Sequence, residues 1–286
     1  MPNRPGFIDL HMHSTVSDGT DTPQALLEAV RSAGIGVFSV TDHDAVRAGK
    51  EIRELLKKGD PRFITGAEFS CKDTDGKCHI LAYGFDPDAG PIVELVNTLH
   101  ALRMQKAFAR VQKLETEYGF TFPDEERDAL FSMANPGKPH IANMMVRCGY
   151  AQTKEEAILR YLNPIHLHAG SLKPQEVIGR ILAGGGIPVL AHPLFGSGSD
   201  DLDDVRMEQR LQRLTACGLQ GVEAYYSGFS AQQSARMLSL AERFDLYVTA
   251  GSDYHGTNKT VRLGETGFDG TAERPDGMER FLALFE

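Results

Sequence analysis

The residues with the clearest chemical potential are histidines and carboxylates at or beside the ends of short apolar runs. Six of the ten histidines occupy such positions together with three acidic residues, which independent placement along the chain would rarely produce. Imidazole and carboxylate ligands without thiolate suit Mn²⁺, Fe²⁺ or Zn²⁺, and ligand type alone does not choose among these ions. We predict that nine side chains serve as metal ligands and catalytic residues: His11, His13, Asp18, His43, Glu68, His79, His192, Asp253 and His255.

Each of these residues, taken singly, has a more common explanation. A His-x-His pair such as His11 and His13 is more often a pair of surface histidines, and Asp42 or Asp44 can cap a following helix. We interpret Asp44 as a helix cap and Asp42 as a residue that orients a neighbouring ligand. For the nine residues together, the alternative to cations is an unpaired cluster of acids and histidines, which is costly to bury.

Nine ligands are too many for one ion, so the set predicts two or three divalent ions per chain. A carboxylate such as Glu68 can bridge two of them. A pair of ions lowers the pKa of a shared water, while metal charge neutralises the oxygens of a phosphate group. The set therefore suits metal-assisted phosphoryl chemistry.

The strands that precede these residues must position them. Seven apolar runs are predicted as buried strands, at 7–10, 37–40, 63–65, 80–82, 187–190, 221–224 and 246–249. Most of them alternate with helices predicted at 22–33, 173–183, 205–217 and 231–244, the first with Thr22 as its cap and Pro23 at its first position. Functional residues of a β/α barrel gather at the carboxyl ends of its strands, so we predict an α/β fold built on such a barrel.

The stretch 91–164 interrupts this alternation. It reads as helices at 91–118, 124–131, 140–147 and 154–162 without a clear strand. We predict that residues 1–90 and 165–286 form the barrel and that 91–164 is a helical insertion, a substrate-binding lid over the barrel mouth. The segment 196–199, Gly-Ser-Gly-Ser, is predicted as a flexible loop.

Composition narrows the class of protein. The chain has 286 residues, of which 41% are hydrophobic and 24% charged, as in a globular protein. A net charge of −9 argues against double-stranded DNA as a main ligand but not against a small anion bound through metal ions. Without a membrane-length apolar run or a signal-peptide pattern, we expect a cytoplasmic protein with no membrane partner. The cysteines form no CxxC pair and are expected to be reduced thiols.

Together these motifs resemble the PHP family, named for polymerase and histidinol phosphatase domains. The resemblance spans nearly the whole chain and rests on His11-x-His13 with Asp18, Thr41-Asp42-His43, Gly66-x-Glu68, His79, Ala191-His192-Pro193 and Ser252-Asp253-x-His255. It implies a distorted (β/α)7 barrel and a centre of three ions, often Mn²⁺, with Fe or Zn as alternatives. The implied ligands are His11, His13, Glu68 and Asp253 for one ion, Glu68, His79 and His192 for a second, and Asp18, His43 and His255 for a third. The first two ions would share the nucleophilic hydroxide.

Within the family, the insertion resembles the branch that acts on nucleotides, which includes 3′,5′-nucleoside bisphosphate phosphatases and the 5′-to-3′ exoribonuclease RNase AM. The resemblance rests on Arg103, on the segment 137–142 (Gly-Lys-Pro-His-Ile-Ala) and on the segment 185–193 that ends in Ala-His-Pro. The residues that we assign to substrate binding are Arg103, Lys106, Lys138, His140 and His255.

Elementary chemistry agrees with this assignment. Arg103 and Lys106 share a helix face, and Lys138 and His140 lie at the predicted start of another helix, where backbone N–H groups favour anions. Arginine suits bidentate contact with phosphate. A solvated charged face is about as common an explanation for Lys106 taken alone.

Other residues carry weaker signals. Glu223 near a strand end either orients a ligand or makes an ordinary buried hydrogen bond. His166 and His168 form a second His-x-His without nearby acids, which indicates a structural or solvent-exposed role. Phe195 and Tyr254 could stack on a base, although core packing is more common for aromatic residues.

The sequence therefore predicts a phosphoesterase that removes the 3′-phosphate of nucleoside 3′,5′-bisphosphates, and the same site could cleave short 5′-phosphorylated oligoribonucleotides from the 5′ end. Its expected partners are nucleotide or short RNA substrates. The alternatives are a histidinol-phosphate-type phosphomonoesterase, an amidohydrolase or deaminase, and a metal-bound scaffold that binds nucleotides without turnover. The leaving-group acid is either His255 or a metal-bound water, and the sequence does not choose between them.

Overall fold

The computed structural model describes residues 4–133, 135–167, 170–195 and 202–286. The loop predicted at 196–199 and His168 lie outside these residues. The chain divides into two compact units, the first made of Met1–Val96 and Leu172–Glu286 and the second of Asn97–Ser171.

The first unit contains two β-sheets. One is parallel and has the order β1-β2-β3, with β1 at Arg4–Asp9, β2 at Ile35–Phe38 and β3 at Arg62–Phe63. The other has the order β4-β5-β6-β7-β8, with β4 at Gly66–Asp73, β5 at Gly76–Tyr83, β6 at Ile187–Leu190, β7 at Gly221–Tyr226 and β8 at Tyr247–Gly251. Strand β5 is antiparallel to both β4 and β6, while β6, β7 and β8 run parallel. The α/β fold class is therefore confirmed.

The hairpin of β4 and β5 corrects the sequence prediction, which placed Glu68 after a strand and counted seven strands. Glu68 lies inside β4, an eighth strand whose residues alternate between apolar and polar types and therefore form no continuous apolar run. A two-residue turn joins β4 to β5, so this pair cannot be part of a simple βα repeat. In the hairpin Cys71 lies directly opposite Cys78, with 3.2 Å between the two Sγ atoms.

The two sheets meet near the ends of their strands. Isolated bridges pair Met12 with Tyr254 and His43 with Glu68, just beyond strands of the three-stranded sheet. The Leu10 backbone N–H also donates to the Ala250 carbonyl at 2.9 Å. Among the described strands these links join two sheets without forming the closed seven-stranded barrel that the sequence predicted.

Helices follow most strands of the first unit. They are α1 (Pro23–Ala33), α2 (Arg47–Leu55), the start of α3 (Gly90–Tyr118), and, after the second unit, α7 (Pro174–Ala183), α8 (Asp204–Ala216), α9 (Ala231–Arg243) and α10 (Asp276–Ala283). The predictions for α1, α7, α8 and α9 are confirmed to within one or two residues, whereas α2 and α10 were not predicted. As predicted, Thr22 caps α1 by accepting a hydrogen bond from the Ala25 backbone N–H, and Pro23 opens the helix. None of the described helices is both long and apolar enough to cross a membrane.

The interpretation of Asp44 as a helix cap is wrong. Helix α2 begins after Val46, which makes no side-chain capping hydrogen bond. Asp44 instead accepts a hydrogen bond from the Ser70 backbone N–H at 2.7 Å, and its φ of 51° lies in the left-handed region that aspartate tolerates better than most residues. Asp44 therefore ties the segment after β2 to β4.

The second unit is helical and has its own core. Helix α3 continues into it and is followed by α4 (Asp124–Phe131), α5 (Lys138–Arg147) and α6 (Lys154–Glu156), the last of which continues as a π-helical turn at Ala157–Leu162. Its fully buried residues include Leu114, Ile141 and Met144. Phe120 stacks on Tyr150 with 4.1 Å between ring centroids. The four predicted helices of this region are present, because each carries enough apolar residues to build a core within the unit.

The α1 cap yields a prediction about stability. Replacing Thr22→Ala removes the acceptor for the Ala25 N–H and should lower the free energy of unfolding by about 1 kcal/mol. Thr22→Ser keeps a hydroxyl at this position and should unfold like the wild type in urea. Equal stability of Thr22→Ala and Thr22→Ser would show that the hydroxyl makes no such contribution.

Candidate metal centre

All nine predicted ligands lie in the first unit, and their side chains form one cluster. Every member has a ligand atom 3.4 Å or less from a ligand atom of another member. The residues come from the segments that follow β1, β2, β6 and β8, together with β4 and β5 themselves. Sequence positions up to 244 residues apart, from His11 to His255, therefore converge on one place.

The first group contains His11, His13, Asp253 and Glu68. The Nε2 atoms of His11 and His13 lie 3.4 and 3.3 Å from Glu68 Oε2. The same two atoms lie 3.5 and 3.3 Å from Asp253 Oδ1. Tetrahedral ligands at about 2.1 Å from an ion are separated from one another by about 3.4 Å, and these four distances are close to that value. His11, His13 and Asp253 form one group that could hold a metal ion.

The second group uses the other oxygen of Glu68. Glu68 Oε1 lies 2.8 Å from His79 Nδ1 and 3.0 Å from His192 Nε2, and these two nitrogens are 3.4 Å apart. Glu68 and His79 reach the same point because they lie diagonally across the β4–β5 hairpin, where Ser70 is the residue opposite His79. Burial by itself would raise the pKa of Glu68, but the charges of His79, His43 and His11 hold that pKa well below its usual range.

The third group differs in detail from the set that the family resemblance implies. Asp18 Oδ1 lies 3.3 Å from His255 Nε2, and Asp18 Oδ2 lies 3.9 Å from His43 Nε2. His43 also faces Glu68, with 2.9 Å between its Nδ1 and Oε2 of that residue. His13 Nδ1 lies 3.9 Å from Asp18 Oδ1. The structure therefore places His13 and His43 between groups, where each could serve more than one ion.

Hydrogen bonds on the outer side of three imidazoles favour a metal on the inner side. His192 Nδ1 and His255 Nδ1 contact the carbonyl oxygens of Phe195 and Asp253 at 2.9 and 2.8 Å. A carbonyl oxygen only accepts, so each Nδ1 carries the proton and each Nε2 directs a lone pair into the cluster. His11 Nδ1 contacts Glu223 Oε1 at 2.9 Å in the same way. Metal-ligating histidines typically have this arrangement.

Several buried ligand atoms in the cluster make no hydrogen bond to any part of the chain that the structure describes. Three of them are His11 Nε2, His13 Nε2 and Glu68 Oε2, which face one another in the first group. Buried polar atoms are rarely left in this state, because losing water without a replacement partner is costly. A divalent cation bound by all three would replace the missing partners, so the residues fit the metal that the sequence predicted.

Asp9 links the ends of β1 and β8, a role that sequence reasoning missed. Its carboxylate accepts hydrogen bonds from the backbone N–H groups of His11, Ser252 and Gly264 at 3.3, 3.0 and 2.8 Å, and from the Ser252 hydroxyl at 2.6 Å. Burial raises the pKa of Asp9 to about 6. Asp9 lies two residues before His11, but this position alone did not distinguish it from an ordinary strand residue.

Glu223 and Asp42 hold neighbouring ligands in place. Besides His11, Glu223 accepts a hydrogen bond from the His192 backbone N–H at 2.8 Å, so it contacts one residue of each of the first two groups. This favours the orienting role that the sequence left open for Glu223. Asp42 accepts hydrogen bonds from the hydroxyls of Ser14 and Ser17 at 2.7 and 2.6 Å and thereby fixes the turn between His13 and Asp18.

Close packing around His11 explains why residue 251 is a glycine. A Cβ atom added to Gly251 would lie 2.2 Å from His11 Cβ and 2.3 Å from Glu223 Oε1, which are impossible contacts. Only glycine lets β8 approach the His11 side chain closely enough for the first group to form.

The predicted substrate-binding residues of the second unit divide into separate environments. The Arg103 guanidinium lies near Gly137, the residue that precedes α5, and His140 Nδ1 accepts a hydrogen bond from the Gly137 N–H at 3.1 Å. Lys106 instead contacts the Ser171 hydroxyl at 3.2 Å, and Lys138 contacts the Asn163 side chain at 2.6 Å. Sequence reasoning missed Arg110, whose pKa is lowered by burial and by the nearby charge of Arg103. The available signal was that Arg110 lies seven residues after Arg103 on α3, a spacing that places both on the same helix face.

The two aromatic residues that could stack on a base also differ. Phe195 is 53% exposed and packs one edge against Tyr226. Tyr254 is partly buried, and its hydroxyl donates to Asp21 at 2.7 Å. Among the described residues Phe195 is therefore largely exposed, whereas Tyr254 has a structural contact.

Because Glu68 contributes to two groups, we expect Glu68→Gln to weaken Mn²⁺ binding at both of them. The substitution keeps the shape of the side chain but removes the negative charge that faces five imidazoles. Bound Mn²⁺ per chain, measured by elemental analysis after dialysis, should fall by at least one ion. Glu51→Gln on α2, at a surface ion pair, is the matched control. Retention of the wild-type metal content by Glu68→Gln would argue against a shared ligand.

Comparison with known proteins gives results that agree with this geometry. Residues 9–163 match the model of the PHP domain family. The chain is 29% identical over 91% of its length to a phosphoribosyl 1,2-cyclic phosphate 1,2-diphosphodiesterase of Eggerthella lenta, covering 97% of that protein. It is 28% identical to a 5′-3′ exoribonuclease of Haemophilus influenzae (90% of this chain, 93% of that one) and 26% identical to a 3′,5′-nucleoside bisphosphate phosphatase of Chromobacterium violaceum (91% of each).

A solved structure supports the fold. A metal-dependent phosphoesterase from Bifidobacterium adolescentis superposes with a TM-score of 0.83 and 29% sequence identity, covering 96% of this chain and 95% of that one. The family match covers more than half of the chain and includes the segments of six of the nine clustered residues. The chain therefore belongs to the PHP domain family.

Proposed function

We propose that this PHP-family protein, a metal-dependent phosphoesterase, removes the 3′-phosphate from nucleoside 3′,5′-bisphosphates. The observation that carries the proposal is the shared carboxylate of Glu68, whose two oxygens face separate groups of histidines 2.8 to 3.4 Å away. Divalent ions held by these two groups would suit hydrolysis of a phosphate ester, because bound cations activate water and offset the charge of the phosphate oxygens. We assign all nine clustered residues as ligands, with Mn²⁺ as the expected ion.

The chain's own residues prepare the site for this reaction. The outer hydrogen bonds of His11, His192 and His255 hold a proton on each outer nitrogen and fix the direction of each ring. Such prior orientation lowers the cost of reorganising the site during catalysis. His255 is buried and lies 3.3 Å from the partly exposed Asp18, and we assign it to substrate contact as well.

The proposal also specifies a nucleotide as the substrate. It is supported by the resemblance of the insertion to the nucleotide branch of the family and by the similarity to a nucleoside bisphosphate phosphatase. The 5′-phosphate of such a substrate needs positive groups, and we assign Arg103, Lys106, Lys138 and His140 to it. Arg103 and His140 are the stronger assignments, since they flank the same helix start.

Exonucleolytic cleavage of short 5′-phosphorylated RNA is a second candidate activity. The similarity to a 5′-3′ exoribonuclease favours it. Each cleavage step presents a 5′-phosphate next to a 3′-phosphodiester, which is the same pair of groups as in the bisphosphate. Both activities can therefore use one site.

Phosphate release with Mn²⁺ tests the proposal. We expect adenosine 3′,5′-bisphosphate to be hydrolysed in preference to adenosine 5′-monophosphate, histidinol phosphate and a five-carbon sugar 1,2-cyclic phosphate, with a short 5′-phosphorylated RNA as a further substrate. Asp253→Ala should lower kcat/KM by more than about 100-fold, since losing a ligand should exceed the 10- to 100-fold effect of losing its outer partners. Preference for histidinol phosphate or the cyclic phosphate would overturn the nucleotide assignment and keep the metal site.

The 5′-phosphate assignment has its own test. Arg103→Ala should raise KM for the bisphosphate by roughly tenfold, or about 1.4 kcal/mol, and Arg103→Lys should only partly restore it, because lysine cannot make a bidentate contact. Hydrolysis of p-nitrophenyl phosphate, which has no second phosphate, should be unchanged. Lys113→Ala on the same helix, at a surface ion pair with Glu117, is the control. An equal loss with both substrates would contradict a role in 5′-phosphate binding.

A further inference from the structure

Asp253 is held in an unusual position by its surroundings. It follows β8, and its φ of 57° lies in the left-handed region, which costs a non-glycine residue energy that the surrounding structure must offset. Its backbone N–H donates to the His11 carbonyl at 2.7 Å, so the main chain is tied to the segment after β1. Such strain is typical of residues whose side chain must point in one direction.

The two oxygens of Asp253 have different partners. Oδ1 faces the Nε2 atoms of His13 and His11 at 3.3 and 3.5 Å, which is the ligand spacing described above. Oδ2 faces away from them and receives hydrogen bonds from the Tyr226 hydroxyl at 2.9 Å and from the Lys259 ammonium at 2.5 Å. The carboxylate is 8% exposed, so water does not compete strongly for either oxygen.

We propose that Tyr226 and Lys259 are positioning residues for the metal centre, which hold Asp253 so that it offers a single oxygen to the ions. A carboxylate without these donors can bind an ion through both oxygens or turn away from it. Two donors on Oδ2 oppose both movements and leave Oδ1 in line with the two imidazoles. The Tyr226 ring also packs against His192, with 5.4 Å between the ring centroids.

The two donors make different contributions. Tyr226 ends β7, is 6% exposed, and gives a directional hydrogen bond from a fixed ring. Lys259 follows the 3-10 turn Gly256–Asn258, is 38% exposed, and contributes a positive charge next to one of three clustered carboxylates. The charge offsets repulsion among Asp18, Glu68 and Asp253, while the phenol sets the plane of the carboxylate.

The neighbouring residue Tyr225 offers a matched comparison. It lies on the same strand, but its ring packs against Phe268 with 5.1 Å between centroids. Tyr225→Phe therefore removes one hydroxyl from the same strand, as Tyr226→Phe does, but leaves the described contacts of Asp253 unchanged. Lys259→Arg likewise keeps the positive charge that Lys259→Met removes.

Mn²⁺ titration monitored by electron paramagnetic resonance provides the test, because it measures the number and affinity of bound ions without a substrate. We expect Tyr226→Phe and Lys259→Met each to bind one Mn²⁺ about tenfold more weakly than the wild type, which is the effect usual for outer partners of a ligand. Tyr225→Phe should match the wild type, and Lys259→Arg should recover most of the affinity. At sub-saturating Mn²⁺ the two weakened variants should lose kcat with little change in KM.

Wild-type Mn²⁺ affinity in both Tyr226→Phe and Lys259→Met would overturn the inference. So would equal weakening in Tyr225→Phe, which would point to general loss of strand packing. The inference rests on the metal site in the proposed function and not on the substrate. A wild-type protein that binds Mn²⁺ but leaves adenosine 3′,5′-bisphosphate intact would defeat the nucleotide assignment without affecting this result.

Discussion

A single buried carboxylate, Glu68, holds the centre of this structure together. Its side chain is 1% exposed, so its charge must be balanced by neighbouring groups instead of water. Oε1 faces His79 and His192 from the five-stranded sheet, whereas Oε2 faces His11 and His13 from the end of the three-stranded sheet. Satisfying both oxygens therefore requires the two sheets to meet at one point. The backbone also joins the two sheets at this point, because Glu68 forms an isolated β-bridge with His43, which follows β2.

Hydrogen bonds from surrounding residues orient the side chains of the cluster. Backbone carbonyls and the carboxylate of Glu223 accept hydrogen bonds from the outer nitrogens of three imidazoles, which sets the direction of each inner nitrogen. Asp9 joins the ends of β1 and β8 through four hydrogen bonds, and Gly251 allows β8 to lie against His11. These residues bring no reactive group of their own. They hold the acids and imidazole rings of the cluster 2.8 to 3.9 Å from one another.

The named relatives indicate where specificity arises. A cyclic phosphate diesterase, an exoribonuclease and a bisphosphate phosphatase are similar to this chain at 26 to 29% identity over about nine-tenths of its length. Three substrates on one family framework imply that the metal-binding framework supplies general phosphoester chemistry and that other residues select the substrate. The helical unit, with its own core and its own arginine and histidine at the start of α5, has the residue types for such selection.

Sequence alone determined which residues could meet. The nine clustered residues were identifiable because most of them fall where short apolar strands end, and the start of α1 followed from Thr22 and Pro23, which act within one turn of the chain. The tertiary structure decided how these residues combine. Alternating apolar and polar residues concealed β4, and Asp44 bonds to a distant strand instead of capping α2. Local sequence patterns report only the preferences of neighbouring residues. Strand register and side-chain direction across the whole unit decide that His13 and His43 lie between groups. They also decide that Tyr226 and Lys259 contact Asp253.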